Sequence, residues 1–331
     1  MTNSGTLLLS RREIQALLTL DECIAAVEQA FRMQHEGKTL PPGILGVPSR
    51  EGGFHIKAAG LKLDRTYFAV KCNGNFFRNR ERFAMPNIQG IILLCDGENG
   101  YPLALMDSIE ITIQRTGAAT AVAARYLARP DARVATICGC GNQGRVQLRA
   151  LARVLKLQKV FAFDADTGAA QRFAEELSAE LGVEIEAVRE PGPGARQSLV
   201  CVTCTPSRKP YLMRGDVVPG TFVAAVGADS EEKQELDPGL LAGSKVVVDI
   251  LEQCATIGDL HHALEAGVMT RKDVHAELSE VVSGARPGRT SDQEITIFDS
   301  TGTALQDAAA AAVVYEKATG QANVRRVEFG Q

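Results

Sequence analysis

The sequence lacks two features of nucleic-acid-binding proteins, a surplus of basic residues and a supply of stacking aromatic side chains. None of its 331 residues is tryptophan, and aromatic residues make up only 5% of the chain. Its 36 lysines and arginines are outnumbered by 40 aspartates and glutamates, for a formal net charge of −4. Because nucleic-acid recognition depends on a basic surface and on stacking, this composition predicts that nucleic acid is not a partner.

Long hydrophobic runs are absent too. No stretch reaches the roughly 18 consecutive apolar residues of a membrane-spanning helix. Near the N-terminus only a run of three leucines precedes Arg11 and Arg12, which is too short for the apolar part of a secretion signal. The sequence therefore predicts a cytoplasmic protein with no membrane partner.

Residues that could bind a metal ion are sparse. Among the five histidines, His261 and His262 are adjacent, and on a helix neighbouring side chains diverge by about 100°. Cys201 and Cys204 have the CxxC spacing but alternate within a strand-like apolar run, and no second pair of ligands follows at a useful spacing. We expect no bound metal, and we expect the eight cysteines to pack as small hydrophobic side chains.

What the sequence does contain is a glycine-rich turn in "VATICGCGNQGRVQL", which begins at Val134. The β-branched run predicts a buried strand, a helical pattern starts at Gln143, and the glycines between them have the spacing G-x-G-x-x-G. The first glycine permits a tight turn, the second lets the backbone approach a pyrophosphate, and the third lets helix pack against strand. The residues that we assign to a dinucleotide are Gly139, Gly141, Asn142, Gln143 and Gly144.

An acidic residue follows where the ribose of the dinucleotide is expected. The next strand-like segment, "KVFAFDAD", contains Asp164 twenty residues after Gly144. An aspartate at this spacing binds the ribose hydroxyls of NAD, whereas the 2′-phosphate of NADP would meet the carboxylates of Asp164 and Asp166. The sequence therefore predicts NAD(H) as the cofactor.

The alternation of strands and helices continues beyond Asp164. A helix is predicted from Thr167 to Leu181, and the segments "VEIEAV", "SLVCVTC", "TFVAAVG" and "SKVVVDI" predict further strands. This order is typical of an α/β fold with a doubly wound parallel sheet. We assign residues 130–300 to a Rossmann dinucleotide-binding domain.

The residues on either side of this domain have a different pattern. Ser10 with Glu13 and Thr19 with Glu22 have the capping-box spacing, which predicts two helices. Strand-like segments such as "GGFHIKAAG" and "TYFAVKCNG" follow, then a small-residue helix that ends before Pro130; the C-terminal segment is an alanine-rich helix. We therefore expect residues 1–129 and 301–331 to form one discontinuous α+β domain into which the Rossmann domain is inserted.

Several segments together resemble one family. "NIQGIILLCDGENGYPLALMD", "IQRTGAATAVAARYLA", "VGADSEEKQELDP" and "ITIFDSTGTALQDAAAA" are similar, in this order, to the ornithine cyclodeaminase/μ-crystallin family. The resemblance implies a homodimer in which the discontinuous domain binds substrate and forms the dimer interface. The activities of the family include cyclodeamination of ornithine, amino-acid dehydrogenation and imine reduction, and some relatives are ligand-binding crystallins.

The resemblance also implies roles for individual residues. Lys71 matches the active-site lysine, Arg115 the arginine that holds the substrate carboxylate, and Asp229 the acid–base aspartate. Lys233 and Ser300 match residues near the nicotinamide half of the cofactor. Thr116, which follows Arg115, is also assigned to cofactor binding.

One position departs from the family pattern. Family members often have an arginine after two prolines near residue 43, as a second clamp on the substrate carboxylate, but this chain has Gly43 in "LPPGILG". His55 and Lys57 are two residues apart on a predicted strand and so share a face, where they could form a replacement cationic clamp. Because Lys57 would repel the cationic side chain of ornithine, this change disfavours ornithine as the substrate.

Three functions are compatible with these residues. The favoured one is NAD(H)-dependent reduction of a small 2-imino acid, which amounts to reductive amination of a 2-oxo acid, or the reverse dehydrogenation of an amino acid. The alternatives are a cyclodeaminase-type lyase that recycles its hydride and a crystallin-like binding protein. Because several segments are similar to relatives that reduce imino dicarboxylates, we take oxaloacetate, pyruvate and glyoxylate as first candidate substrates.

Overall fold

The computed structural model describes residues 5–321 and 323–329. They form two compact units, one from the described residues up to 115 together with those from 303 onward, and one from residues 116–302. The boundary between the units lies between Arg115 and Thr116, within the helix that begins at Ser108. The sequence predicts a boundary after residue 129. One physical reason for the difference is that Gly117 in this helix approaches Val146 of the second unit so closely that an added Cβ would lie 2.9 Å from the valine side chain. The functional roles of the units remain predictions.

The strands, in chain order, are β1 (Thr6–Leu9), β2 (Thr39–Ser49), β3 (Gly52–Lys62), β4 (Thr66–Asn75), β5 (Ile88–Asp96), β6 (Pro102–Asp107), β7 (Val134–Cys138), β8 (Lys159–Phe163), β9 (Glu184–Val188), β10 (Val200–Thr203), β11 (Arg208–Leu212), β12 (Phe222–Ala225), β13 (Gln234–Leu236), β14 (Lys245–Val248), β15 (Ala276–Glu277), β16 (Thr296–Asp299) and β17 (Arg326–Val327).

The α-helices are α1 (Arg11–Leu17), α2 (Leu20–His35), α3 (Asn79–Phe83), α4 (Ser108–Leu127), α5 (Asn142–Val154), α6 (Thr167–Leu181), α7 (Pro191–Ala195), α8 (Pro238–Ala242), α9 (Leu251–Ile257), α10 (Asp259–Glu265), α11 (Leu278–Ser283) and α12 (Ala304–Thr319).

The first unit is built on a seven-stranded mixed sheet in the order β17-β1-β6-β5-β4-β3-β2. The successive pairs from β2 to β6 are antiparallel, and β1 is parallel to β6. Along β4 every second side chain from Tyr67 to Asn73 is buried, because alternate residues of a strand point to opposite faces. In β3 the buried residues are confined to its second half, from Lys57 onward. Helix α12 packs against β3 and β4 and against α2, so it covers the buried face of this sheet.

Local signals predicted α1, α2 and α12 of the first unit, while the five-residue helix α3 was not predicted. The Thr19–Glu22 capping box is present, with the Glu22 backbone N–H donating to Thr19 Oγ1, and α2 ends at His35 before a glycine with positive φ at position 37. The Ser10–Glu13 box is also present, at the start of α1. The alanine-rich segment forms α12, in which small side chains allow close packing and are almost all buried.

The second unit contains an eight-stranded sheet in the order β15-β14-β16-β12-β10-β7-β8-β9, and every pair is parallel. The central strands β10 and β12 are buried at every position, as expected for strands covered on both faces. The predicted α/β class, the strand–turn–helix at residue 134 and the helix from Thr167 to Leu181 are confirmed.

Sequence patterns missed several strands. Strand β2 contains three prolines and reads as a turn or loop, but prolines are tolerated on edge strands, and β2 is the last strand in its sheet order. Strands β1 and β16 are four residues each, and β15 only two, which is too short for an alternation pattern to be distinctive.

All eight cysteines are free; five of them are buried, as expected for small hydrophobic side chains, and Cys72, Cys95 and Cys204 are partly exposed. Among the described residues, none of the helices has the length and hydrophobicity needed to cross a membrane.

Candidate active site

The glycine-rich turn connects β7 to α5 in the second unit. Gly139 has a φ of +104°, a conformation that glycine adopts without strain, and it makes the tight turn out of β7. Gly144 lies in the first turn of α5, where an added Cβ would be 1.9 Å from the carbonyl oxygen of Gly139. Only glycine therefore allows α5 to start this close to the strand.

Asp164 follows β8 directly and stabilises the same turn. Its Oδ2 accepts a hydrogen bond from the backbone N–H of Cys140 at 2.8 Å, and its Oδ1 accepts one from Asp166 at 2.9 Å. The carboxylate is partly exposed. Asp164 therefore lies beside the glycine-rich turn, where the sequence-based assignment expects a ribose.

The residues of this turn fit a dinucleotide. Gly141 is exposed at the N-terminus of α5, and an added Cβ there would meet no atom within 4 Å, so the space above the helix end is open. The next residue, Asn142, is also exposed, and the Oε1 atom of Gln143 is buried with no hydrogen-bond partner among the described residues. An open anion site at a helix N-terminus, with a carboxylate beside it, matches the pyrophosphate and ribose of NAD.

Three other predicted residues of the second unit follow buried strands at the carboxyl edge of its sheet. Asp229 and Lys233 lie after β12 and form an ion pair, with Lys233 Nζ 2.5 Å from Asp229 Oδ1. Ser300 follows β16, and its hydroxyl donates to Asp249 at 2.8 Å. Ligands of parallel α/β sheets bind outside the carboxyl ends of the strands, so these positions suit a cofactor or substrate role.

Thr116, which was also predicted to contact the cofactor, is buried in α4.

In the first unit, Lys71 and Arg115 converge on one carboxylate. Lys71 on β4 is 2.7 Å from Asp307 Oδ2, and Arg115 Nε on α4 is 3.1 Å from Asp307 Oδ1. Arg115 Nη1 also donates to Gln306 Oε1 at 2.9 Å. Asp307 lies in the first turn of α12, where the helix dipole favours negative charge. All of these side chains are buried.

Burial and neighbouring charges shift both ionisable groups of the Lys71–Asp307 pair. Burial lowers the pKa of Lys71 to about 7; the charge of Asp307 opposes this shift, while Arg115 and Lys57 add to it. For Asp307, burial opposes ionisation, but the positive charges of Lys71, Arg115 and Lys57 hold its pKa below the ordinary value. Lys71 can therefore gain or lose a proton near neutral pH.

Lys57 belongs to the same cluster. It is the register partner of Lys71 across the β3–β4 pair, so the two side chains lie on one face of the sheet, and Lys57 is also buried. We call Lys57, Lys71, Arg115 and Asp307 the cation cluster. His55 is on the same face of β3, opposite Asn73, and is partly exposed. Gly43 lies on β2 with no atom within 4 Å of an added Cβ.

Sequence reasoning missed Asp307 and Gln306. Both lie in "TALQDAAAA", where two polar residues interrupt a run of small apolar ones, and this interruption was the available signal. Both are buried, and the Nε2 atom of Gln306 has no acceptor among the described residues. Gln306 thus presents a buried donor next to Arg115.

The adjacent histidines lie closer together than helical geometry suggested. One ring nitrogen of each of His261 and His262 and one carboxylate oxygen of Glu265 lie within 4.8 Å of one another. The ring of His261 contacts the carbonyl of Ala255, and that of His262 the carbonyl of Lys233. Glu265 is exposed, and the absence of a bound metal remains a prediction.

A family model and individual relatives both match this chain over nearly its whole length. A family model described as ornithine cyclodeaminase/mu-crystallin matches residues 4–322. The alanine dehydrogenase of Archaeoglobus fulgidus is 40% identical over 324 residues, which cover 98% of each chain.

Two solved structures have the same fold. One is an archaeal alanine dehydrogenase dimer with bound NAD, with a TM-score of 0.93 and 38% identity over 99% of this chain and 100% of that one. The other is the iminosuccinate reductase of Paracoccus denitrificans in complex with NAD⁺, with a TM-score of 0.89 and 32% identity over 98% and 100% of the two chains.

Proposed function

Because the chain belongs to the ornithine cyclodeaminase/mu-crystallin family, we propose that it is an NAD(H)-dependent oxidoreductase that reduces a small 2-imino acid to an amino acid or catalyses the reverse dehydrogenation. The similar proteins include an alanine dehydrogenase and an iminosuccinate reductase, and the solved structures of both contain NAD. The observation that carries the proposal is the convergence of Lys71 and Arg115 on Asp307.

The cation cluster can bind a carboxylate and handle a proton. A guanidinium has five N–H donors, so the contacts of Arg115 with Asp307 and Gln306 leave donors for the carboxylate of a 2-imino acid. Lys71, with a pKa of about 7, can donate a proton in imine reduction and accept one in amino-acid oxidation. Asp307 orients both cations by pairing with each.

The second unit supplies the cofactor site. Gly139, Gly141 and Gly144 would hold the pyrophosphate, and Asp164 would bind the ribose hydroxyls. When bound, NAD(H) donates or accepts the hydride. Asp229 is a carboxylate at the carboxyl edge of the sheet, and we assign it a proton-transfer role.

The proposal is tested by following NADH absorbance with 2-oxo acids and ammonia. We expect stoichiometric oxidation of NADH and formation of the matching amino acid from at least one of oxaloacetate, pyruvate and glyoxylate. Ornithine is the comparison substrate. Release of ammonia from ornithine with no net change in NADH would identify a lyase, and NADH binding without either reaction would identify a binding protein; both results contradict the proposal.

Within this function we propose a preference for substrates with a second carboxylate. Lys57 is buried beside Lys71 and influences the pKa of both Lys71 and Asp307, so the cluster contains three cationic side chains and one carboxylate. Like charges on directly opposed strand positions destabilise a sheet, and a second substrate carboxylate would offset this repulsion.

Replacement of Lys57 tests this preference. Lys57→Ala should raise KM for oxaloacetate more than KM for pyruvate, with Lys62→Ala, an exposed lysine on the same strand, as the matched control. We expect a difference of roughly tenfold between the two substrates, the effect of losing one charge-assisted contact. Equal changes in both KM values would remove Lys57 as a specificity residue.

We also propose that the chain forms a homodimer through the sheet face opposite the cation cluster. Leu45, Ile56, Cys72 and Ile91 are successive register partners across β2 to β5 and so line that face. Leu45 is 56% exposed and Ile91 47% exposed, and large exposed apolar surfaces typically mark interfaces. The similar archaeal alanine dehydrogenase is a dimer.

Light scattering after size exclusion measures the assembly directly. The wild type should have twice the mass of one chain, and Leu45→Asp combined with Ile91→Asp should shift it toward the monomer. Arg12→Asp, on exposed α1 surface, is the control for a change of charge. A monomeric wild type, or a double variant that stays dimeric, would place the interface elsewhere or exclude it.

A further inference from the structure

The second unit buries carboxylates that the proposed reaction does not use. Glu235, Asp259 and Asp299 are each 0% exposed, although an isolated charged group in a protein interior is strongly disfavoured. Their described partners are largely backbone N–H groups. Together they form a sequence of contacts that we call the carboxylate chain, and its first member, Glu235, lies six residues from Asp229.

Glu235 connects the ends of two neighbouring strands. Its Oε1 accepts hydrogen bonds from the backbone N–H of Thr205 at 2.6 Å, from the Thr205 hydroxyl at 2.7 Å and from the Tyr211 hydroxyl at 2.7 Å. Its Oε2 accepts one from the backbone N–H of Gly227 at 3.0 Å. Thr205 follows β10 and Gly227 follows β12, and these strands are parallel neighbours. One carboxylate thus fixes the carboxyl ends of both.

The hydrogen bond between the Gly227 N–H and Glu235 Oε2 also closes a loop. Residues 226–233, which we call the Asp229 loop, join β12 to β13 and carry Asp229 and Lys233. Gly227 lies at the start of the loop, and Glu235 lies in β13 just after its end. A Cβ added at Gly227 would be 2.3 Å from Glu235 Oε2, so the backbone approaches the carboxylate as closely as glycine permits.

The rest of the carboxylate chain anchors Glu235 itself. Asp259 Oδ1 accepts the backbone N–H groups of Glu235 and Leu236 at 2.8 and 2.9 Å. Asp299, at the end of β16, accepts those of Asp259 and Leu260 at 3.3 and 2.9 Å. Each carboxylate therefore accepts hydrogen bonds from the backbone that carries the previous one, so the contacts run from the end of β16 to the base of the Asp229 loop.

We propose that Glu235 is a positioning residue for Asp229: its carboxylate closes the base of the Asp229 loop and holds the aspartate where the proposed reaction needs it. The inference rests on the proposed function for the role of Asp229, but the loop closure is independent of it. Glu235 is buried, so it acts through the loop and not on the substrate.

The surrounding donors require that both side-chain oxygen positions of residue 235 act as hydrogen-bond acceptors. Each oxygen of the carboxylate accepts a backbone N–H, from Thr205 at Oε1 and from Gly227 at Oε2, and an N–H can only donate, so a glutamine would direct its NH₂ group at one of these two N–H groups. The lower-cost orientation places the NH₂ toward Gly227 and opens the loop base. Glu235→Gln therefore removes the closure with almost no change in volume.

A double-mutant cycle tests positioning against general stability. In the full-length protein with NADH and substrate, Glu235→Gln should lower kcat by roughly 10- to 100-fold, the effect of misplacing a catalytic group by about 1 Å. In the Asp229→Asn background the same change should lower kcat by less than about threefold, because the group that it positions is already gone. NADH affinity should change little in either background. Glu232→Gln, an exposed change within the same loop, is the control.

A second variant and a second measurement keep the test informative if Glu235→Gln folds poorly. Tyr211→Phe removes one donor to Oε1 and should lower kcat in the same direction but only a few-fold. Hydrogen exchange of the Gly227 amide should be faster in Glu235→Gln than in Glu232→Gln, while that of the Thr205 amide, which keeps its acceptor, should change little.

These experiments distinguish a failure of the proposed oxidoreductase function from a failure of the positioning role of Glu235. If the wild type oxidises NADH with none of the substrates but the exchange result holds, the proposed function fails and the loop closure stands. If Glu235→Gln lowers kcat equally with and without Asp229, or leaves amide exchange unchanged, the positioning role is overturned.

Discussion

The cation cluster of the first unit and the carboxylate chain of the second unit both bury several charges, but the charges are balanced differently. In the cation cluster the charges have opposite sign, and Lys71 and Arg115 are held by the single carboxylate of Asp307. In the carboxylate chain all three groups are acids, burial raises the pKa of each, and their hydrogen bonds come largely from backbone N–H groups.

The pKa shifts follow from this difference. Burial and the neighbouring cations bring the pKa of Lys71 down to about 7, so both its charged and its neutral form are present near neutral pH. Burial raises the pKa of Asp259 to about 7, and the nearby Glu235 adds to the shift. The cation cluster is therefore suited to exchanging a proton with a ligand. The carboxylate chain is suited to holding backbone N–H groups in place.

The largest expected effects come from removing the two proposed proton-transfer groups, one in the cation cluster and one in the loop that the carboxylate chain anchors. Lys71→Met and Asp229→Asn should each lower turnover by about 10² to 10⁴, the typical cost of removing a positioned acid or base. Both variants should fold and still bind NADH, as measured by the quenching or enhancement of its fluorescence. Near wild-type turnover in both variants would remove the proposed proton-transfer roles.

The next prediction concerns the pH dependence of amino-acid oxidation. Lys71 acts as a base only when neutral, so kcat should rise by up to about tenfold per pH unit below pH 7 and level off above it. Asp307 raises the pKa of Lys71, and its loss should lower that pKa. Asp307→Asn should therefore move the break in the profile to lower pH; a shift to higher pH would contradict the assignment.

Asp164 extends the comparison to a carboxylate that is only partly buried. Because a 2′-phosphate would approach this carboxylate, the wild type should prefer NADH to NADPH. Asp164→Ala should reduce the ratio of the two kcat/KM values by roughly tenfold, corresponding to the loss of one charge-dependent contact. Better turnover with NADPH than with NADH in the wild type would contradict the cofactor assignment.

The smallest expected effect tests the carboxylate chain through stability. The folded-state pKa of Asp259 lies above its ordinary value, so the folded state holds a proton that the unfolded state has lost, and stability falls as pH rises toward 7. Asp259→Asn should make this fall between pH 5 and pH 8 smaller, by on the order of 1 kcal/mol. Thermal melts at both pH values measure it, with the exposed Asp292→Asn as the control. An unchanged difference in Tm would mean that Asp259 is ionised throughout.

The two regions also differ in how far the sequence could predict them. The dinucleotide turn is encoded within one short segment, so the spacing of its glycines and the strand–helix pattern were enough to place it. Asp307 contacts Lys71 and Arg115 from a distant part of the chain, and only the packing of α12 on β3 and β4 brings them together. No local pattern encodes that contact.

The same reasoning explains the other omissions. Glu235 is one of several acidic residues in "EEKQELD", and its burial follows from the pairing of β13 with β11 and from the donors that surround it. Lys57 could be placed on a face by its spacing from His55, but its position opposite Lys71 depends on the register of the β3–β4 pair. Long-range register and packing therefore decide which polar residues meet.

Net hydride transfer is the central claim, and isotope transfer measures it most directly. With NADH deuterated at the transferred position of C4, a 2-oxo acid and ammonia, the account predicts one deuterium at Cα of each amino acid formed and one NADH oxidised per product. Arg115→Met, which removes the carboxylate contact, should suppress both together. Product without deuterium at Cα, or conversion of ornithine to proline with no net oxidation of NADH, would contradict the account.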